Sequence, residues 1–199
     1  MFSGIVAATG KVSHIKPLEQ GLSLVIDAGE LDLSDVSLGD SIACSGVCLT
    51  VVAIDGGHFM VDVSRETLDC TVGLDGTGDI NLEKALRLSD LIGGHLVSGH
   101  VDGVGEVLKF APVGESHELV IRAPRDLAKF IARKGSIAVN GVSLTTNAVT
   151  GAEFSINLIP HTLEVTTLRH LKPGSGVNLE VDLIARYVER LYSAERELR

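Results

Sequence analysis

Tryptophan is absent from the 199-residue chain, and aromatic residues make up only 4% of it. A surface that stacks nucleic-acid bases needs aromatic faces, so this scarcity argues against one. Positive charge is also short: 17 Lys and Arg stand against 26 Asp and Glu, a formal net charge of -9 at pH 7. Such a chain repels a phosphate backbone, and nucleic acid is not an expected partner. No run of about 20 apolar residues is present, so no transmembrane helix and no membrane partner is expected. Met1 to Gly10 has neither a basic start nor a cleavage signature, and no secretory leader is read there. Cysteine is limited to Cys44, Cys48 and Cys70, an odd, low number that fits free thiols in a reducing, cytoplasmic setting. No Cys/His set has zinc-ligand spacing, and no Gly-x-Gly-x-x-Gly follows a strand. Neither a metal nor a dinucleotide domain is expected. What is abundant is glycine, 22 residues against 5 prolines, which suggests many tight turns between short strands.

The chain repeats itself. Ser136-Ile137-Ala138-Val139-Asn140-Gly141-Val142-Ser143-Leu144-Thr145 restates Ser41-Ile42-Ala43-Cys44-Ser45-Gly46-Val47-Cys48-Leu49-Thr50, 95 positions earlier. At the same offset Ser98-Gly99-His100-Val101 answers Ser3-Gly4-Ile5-Val6, and His161-Thr162-Leu163-Glu164 answers Glu66-Thr67-Leu68-Asp69. Asn178-Leu179-Glu180 answers Asn81-Leu82-Glu83. The period is the size of a small domain, too long for a solenoid unit. Asn140-Gly141 between β-rich runs signals a tight hairpin, with the weaker Ser45-Gly46 in the first copy. Phe154 to Ile159 alternates as a half-buried strand, and Pro160 starts a helical turn. A helix is predicted from about Pro124 to Lys134, capped by Gly135. The expectation is all-β: a small closed or Greek-key barrel in each half. The tail from Asp182 to Leu198 is unduplicated and places Ile184, Tyr187, Val188, Leu191 and Leu198 on one helical face. Such a helix must pack on its own barrel or on another copy.

These motifs resemble one family. Met1-Phe2-Ser3-Gly4-Ile5-Val6, Gly93-Gly94-His95-Leu96-Val97-Ser98-Gly99-His100-Val101-Asp102-Gly103, the two Gly-Val-x-Leu-Thr hairpins, and Asn178-Leu179-Glu180-Val181-Asp182-Leu183-Ile184-Ala185-Arg186-Tyr187 are similar, in order, to the signatures of the riboflavin synthases. The departures are small: Ser3 replaces the commoner Thr, and Ser45 stands where Asn is usual. The resemblance implies two tandem six-stranded lumazine-binding barrels, residues 1–94 and 95–183, and a C-terminal oligomerisation helix, 184–199. It implies a homotrimer, an association with lumazine synthase, and no cofactor. The reaction it implies is a dismutation of two 6,7-dimethyl-8-ribityllumazine molecules, bound two per active site. A four-carbon unit passes between them, giving riboflavin and 5-amino-6-ribitylamino-pyrimidinedione. The alternative is a non-catalytic lumazine or flavin antenna protein of the same fold.

Residue types can be set beside that implication. The copies differ where chemistry would need a difference: Ile5 becomes His100, Ala7 becomes Asp102, Cys48 becomes Ser143, Arg65 becomes Pro160 and Glu66 becomes His161. Cys48 and Thr50 share one strand face, while Val47 and Leu49 face the barrel interior; Ser143 and Thr145 repeat this around Leu144. A flat ring could lie on that polar face against backbone amides. The ribityl chain calls for hydroxyls and carboxylates, each bond contributing about 0.5–1.5 kcal/mol net. By resemblance the binding residues are Gly4, Ile5, Val6, Cys48, Leu49, Thr50, Asp62, Val63, Ser64 and Thr67, with Gly99, His100 and Val101 in the second opening. Lys134, Ser143, Leu144, Thr145, Asn157, Leu158, Ile159, Thr162 and Asp182 complete them. The C7 methyl of one lumazine must lose a proton, and His100 is the first candidate to handle it, since histidine titrates near neutrality. Cys48 and Ser41 are candidates to add to, or hydrogen-bond, the acceptor. Lys134 could pair with an anionic intermediate, Phe2 could cover a bound ring, and Asp182 serves either the site or the helix N-terminus.

Overall fold

A computed structural model describes residues 1–197. The first half runs β1 (Ala8–Leu18), β2 (Gly21–Asp27), β3 (Ser41–Cys44), β4 (Val47–Asp55), β5 (His58–Ser64), α1 (Arg65–Cys70) and β6 (Gly78–Lys84). The second runs β7 (Gly103–Val113), β8 (Ser116–Arg122), a 3-10 turn (Arg125–Phe130), β9 (Ser136–Val139), β10 (Val142–Thr150), β11 (Glu153–Leu158), α2 (Pro160–Val165), a second 3-10 turn (Thr167–His170) and β12 (Gly176–Val181). Each half closes as a six-stranded antiparallel barrel, in the orders β1-β2-β5-β4-β3-β6 and β7-β8-β11-β10-β9-β12. The register shifts repeat as well. One lies between Val12 and His14 and again between Val107 and Lys109; another between Val51 and Ala53 and again between Thr146 and Ala148. Bulges bend a strand and increase its twist, so both copies turn the same corners to close.

Alternation fills each barrel. Leu24, Ile26, Phe59, Val61, Ile80 and Leu82 are enclosed in the first, and Leu119, Ile121, Phe154, Ile156, Val177 and Leu179 in the second. Each such side chain contributes about 1.5–3 kcal/mol on full burial. The hairpins turn as the sequence signalled: Ser45 and Gly46 have φ of 45° and 86°, Asn140 and Gly141 of 47° and 79°. Positive φ at both central positions is the tight hairpin geometry that matches strand twist. The two hairpin tips also meet. A Cβ on Gly46 would lie 2.8 Å from the Gly141 nitrogen, and one on Gly141 2.7 Å from that of Gly46.

The contacts between barrels are reciprocal, as across a twofold axis. Asn81 Nδ2 donates to Asn140 O at 2.9 Å, and Asn178 Nδ2 to Ser45 O at 3.1 Å. Thr167 N–H donates to Asn81 Oδ1, and Val72 N–H to Asn178 Oδ1, both at 2.8 Å. Ser45, in the turn with the weaker sequence signal, accepts the Asn81 N–H on its hydroxyl at 3.2 Å. Between the barrels lies a small apolar seam of Phe2, Ala43, Val97 and Ala138.

The predicted helix over Pro124–Lys134 is shorter and tighter than expected. Only Arg125–Phe130 turns, as 3-10 helix, and Lys134, not Gly135, takes the left-handed conformation, at φ 65°. A single buried residue, Leu127, gives that segment too little apolar anchorage to extend against the cost of helix nucleation. The tail forms α3 (Leu183–Glu197). Its apolar face does not dock on its own barrel: Ile184, Tyr187, Val188, Leu191 and Tyr192 are exposed. Contact runs instead through Arg186 to Asp102 and Lys129 to Glu189. Leu198 lies outside the described residues. Among the described residues, no helix is long and apolar enough to cross a membrane, and Cys44, Cys48 and Cys70 are free.

Candidate functional site

In both barrels one strand pair parts early. The β4–β5 ladder ends at Val51–Val61, and the β10–β11 ladder at Thr146–Ile156. Beyond those pairs lie Cys48, Leu49 and Thr50 facing Asp62, Val63 and Ser64, and in the second barrel Ser143, Leu144 and Thr145 facing Asn157, Leu158 and Ile159. The gap between the parted strands is the candidate opening of each barrel, and past it β5 runs on into α1 and β11 into α2. Thr50, Asp62 and Ser64 are exposed there, as are Thr145, Asn157 and Ile159. Ser64 caps α1 by accepting the Thr67 N–H, and its hydroxyl lies 3.0 Å from that of Thr67. Ile159, which takes its place before α2, offers no side-chain cap.

Each opening is completed by the other repeat. Cys48 N–H donates to Gly99 O at 2.9 Å, and Ser143 N–H to Gly4 O at 2.7 Å. Val101 packs against the first core, and Val6 against the second. The segment Gly99–Val101 therefore belongs to the first-barrel pocket, and Gly4–Val6 to the second. The hairpin amides of Cys48 and Ser143 are therefore already donated and are not among the backbone amides left for a flat ring. By the alternation of strand backbone groups, the amides that still face the openings are those of Thr50 and Thr145. Gly4 and Gly99 have φ of 74° and 82° and nearly touch Ser143 and Cys48, where a Cβ would come within 2.6 Å of theirs. Neither position admits a side chain.

Two carboxylates, known from the sequence only as members of the repeated Asn-Leu-Glu triplet, hold these segments. Glu83 accepts Ser3 N–H, Ser3 Oγ–H and Gly4 N–H at 2.6, 2.7 and 3.0 Å. Glu180 accepts Ser98 N–H, Ser98 Oγ–H and Gly99 N–H at 2.6, 2.7 and 2.9 Å. Burial pushes the Glu83 carboxyl up, against the lowering pull of its Ser3 and Gly4 bonds. The signal was the Asn-Leu-Glu triplet present in both copies.

His95 was also overlooked as a site residue. Its Nδ1 lies 2.7 Å from Ser143 Oγ, its Nε2 is buried without a hydrogen-bond partner, and burial pushes its imidazole down.

The remaining candidates fall as follows. His100 is exposed on the segment at the first pocket, with its backbone N–H on Ser98 Oγ. Ile5, its counterpart, is exposed at the second. Ser41 pairs with Thr50 across β3–β4 and lines an adjacent cavity of about 500 Å³ with Asp40, Glu83, Lys84 and Arg87. Lys134 is exposed, and its Nζ donates to Asn147 at 3.2 Å. Asp182 accepts the Ile184 N–H at 2.9 Å, the helix-terminal role. Phe2 is 0% exposed in the seam, paired with Val97, and its cluster packs against Cys48 at the first opening.

Comparison with known proteins agrees with this architecture. The lumazine binding domain family model matches residues 3–85 and again 98–182. The chain is 44% identical over 198 residues to the riboflavin synthase of Photobacterium phosphoreum, covering 98% of this chain and 91% of that one. It is 46% identical over 198 residues to the riboflavin synthase of Brucella abortus (strain 2308), covering 96% and 98%. Among solved structures, LumP complexed with riboflavin matches with a TM-score of 0.82 at 29% identity, covering 91% of this chain and 99% of LumP. LumP complexed with 6,7-dimethyl-8-(1'-D-ribityl) lumazine matches at 0.81 and 26%, with the same coverage. With two in-register copies of the matched domain, each forming a closed barrel with a candidate opening between parted strands, the chain belongs to the lumazine-binding family and is related to the bacterial riboflavin synthases.

Proposed function

We propose that the chain is a riboflavin synthase, converting two molecules of 6,7-dimethyl-8-ribityllumazine to riboflavin and 5-amino-6-ribitylamino-pyrimidinedione by transfer of a four-carbon unit, with no cofactor. The observation that carries this reading is the duplication of a whole pocket: both barrels keep the parted strands, the hydroxyl-bearing hairpin, the exchanged glycine segment and the carboxylate that holds it. A reaction whose two reactants are one compound needs two such pockets. Carbonyls and N–H of the pyrimidine edge match the free strand-edge groups near Thr50 and Thr145. Asp62 and Asn157, with Ser64, Thr67 and Thr162, suit ribityl hydroxyls.

The pockets differ in reactive groups, and this assigns roles. The first has Cys48 and His100, the second Ser143 backed by His95. His100 handles the proton of the C7 methyl, while the hydroxyl or thiol of the hairpin hydrogen-bonds or adds to the acceptor. His100→Ala is expected to lower kcat more than it weakens lumazine binding; an unchanged kcat removes it from proton transfer. Holding two reactants in register can supply about 7–11 kcal/mol of the barrier. This requires the first pocket of one subunit to face the second of its neighbour. The exposed apolar stripe of α3 supports such self-association, as a homotrimer.

The test is purified protein with the lumazine as sole substrate. The expected result is a yellow-green fluorescent product, one riboflavin for every two lumazines consumed. The second reading, a non-catalytic lumazine or flavin binder, draws on the likeness to LumP with bound riboflavin or lumazine. Tight binding with no turnover decides for it.

A further inference from the structure

The exchanged segments share a carboxylate hold at their entrances, where among the described residues Ser3 O alone also accepts a further N–H, that of His95 at 3.1 Å, and they differ more sharply at their exits. At the entrances, Glu83 and Glu180 do equivalent work. At the exits, Ala7 N–H donates to Leu82 O at 2.9 Å and Asp102 N–H to Leu179 O at 2.8 Å, again equivalent. Ala7 offers nothing more. The Asp102 side chain is only 10% exposed; its Oδ2 accepts the Val181 N–H at 2.8 Å, and the Arg186 guanidinium reaches both its oxygens, at 2.7 and 2.9 Å. Arg186 lies in the first turn of α3, where a cation gains nothing from the helix dipole. Asp102 is thus a nearly buried carboxylate, paired and hydrogen-bonded, that the first repeat lacks. Removing one partner of such a pair costs far more than breaking a surface one.

From Asp102 the chain runs back through Val101, on the first core, and exposed His100 to Gly99, whose carbonyl receives the Cys48 N–H. We propose that Asp102 and Arg186 are positioning residues: through their ion pair, α3 fixes the His100 segment at the first-barrel pocket, and among the described residues no ion pair does the same for the second. The consequence for ligand rests on the lumazine reading above. The first pocket's affinity depends on how α3 is seated, and by reciprocity of binding linkage a ligand in that pocket steadies α3.

The test separates the clamp from the ligand. Asp102→Asn keeps an acceptor for Val181 N–H and removes the charge; Arg186→Met removes the cation and keeps the stem; Arg186→Lys is the conservative control. In each protein, amide exchange is followed at Cys48 and Ser143, which report the first and second segments through equivalent hydrogen bonds. Exchange at Cys48 should quicken about tenfold in Asp102→Asn and Arg186→Met, stay near the parent rate in Arg186→Lys, and not change at Ser143 in any of them. Cys48 exchange unchanged in both disruptive variants overturns the proposal. So does equal quickening at Cys48 and Ser143, which is general loosening. With 6,7-dimethyl-8-ribityllumazine added and the Thr50 and Thr145 amide signals assigning the pockets, affinity should fall about tenfold at the first pocket only; an equal fall at both overturns the proposal. Absence of binding to the unmodified protein refutes the lumazine reading, while the exchange result, which needs no ligand, still judges the clamp.

Discussion

Glu83→Ala and Glu180→Ala should damage opposite pockets from those their sequence positions suggest. Glu83 belongs to the first barrel by strand, yet it holds Ser3 and Gly4, which complete the second pocket. Truncation leaves the Ser3 N–H, its hydroxyl and the Gly4 N–H without their acceptor; Ser3 is 5% exposed, so water replaces it poorly. Each unsatisfied buried donor costs about 1–3 kcal/mol. Three donors would set about 3 kcal/mol as the lower bound, but relief of the buried carboxylate, whose pKa burial raises, offsets part of it. About 2 kcal/mol is the expected net loss of stability, read as a lowered urea midpoint at constant slope. The segment keeps the Gly4 O bond to Ser143 and the Phe2–Val97 pair, so it should loosen without detaching. If half of that loss is spent on re-ordering the segment when ligand binds, about 1 kcal/mol, affinity at the second pocket falls about fivefold. Glu180→Ala should do the same to the first. Two-site lumazine titration, resolved by the amide signals of Thr50 and Thr145, reads the difference. A first-pocket loss from Glu83→Ala, or equal losses at both, would refute the exchanged assembly of the pockets.

Three further outcomes follow from the same geometry. Burial raises the Glu83 carboxyl above its ordinary value of 4.5, so the folded chain holds that proton more tightly than the unfolded one. This group's contribution is then fully present below pH ~4.5 and is lost as pH rises through the raised value; relative to Glu83→Gln, the parent should lose stability over that window in urea titrations, and an opposite slope would show the carboxylate to be the favoured form. Asn178→Ala strips Val72 N–H of its acceptor and Ser45 O and Val72 O of a donor in a residue 2% exposed, so stability should drop by about 2–4 kcal/mol, with Asn178→Asp no better because it cannot donate. Deleting the residues after Arg186 removes Tyr187, Val188, Leu191 and Tyr192 from the exposed face of α3; sedimentation should show trimers reduced to monomers, and persisting trimers would place the assembly contact elsewhere.

The barrels were legible because their evidence is local or periodic. Asn140-Gly141 dictates its turn by backbone sterics alone, and Phe154, Ile156 and Leu158 alternate as a strand with one buried face must. That Cys48–Thr50 stands opposite Asp62–Ser64, and Ser143–Thr145 opposite Asn157–Ile159, past the last ladder pairs, comes from the register of the folded strands and not from any spacing in the sequence. The helix predicted from Pro124 to Lys134 gives way to a 3-10 turn at Arg125–Phe130 because Leu127, Phe130 and Ile131 supply periodicity without length.

The exchange of segments was hidden for a deeper reason. A constant offset says which residues correspond, not which copy they touch. Ser3 and Ser98 correspond under every arrangement, and only the fold shows that the Gly4 carbonyl following one of them reaches Ser143 rather than Cys48. One sequence signal bore on it. In Ile80-Asn81-Leu82-Glu83 the polar residues alternate with apolar ones, which reads as a strand with a solvated face, yet all four are buried, as are their counterparts Val177 to Glu180. Asn and Glu at two outward positions, kept in both copies, are costly under cover unless hydrogen-bonded. Their retention therefore points to a covered face carrying specific polar partners: the other barrel for Asn81 and Asn178, and the opening segment of the same repeat for Glu83 and Glu180. Those segments then cross to the other copy's hairpin. A pair of domains built this way cannot be separated without opening both pockets, which is why the duplicated unit is a repeat in sequence but half of a site in space.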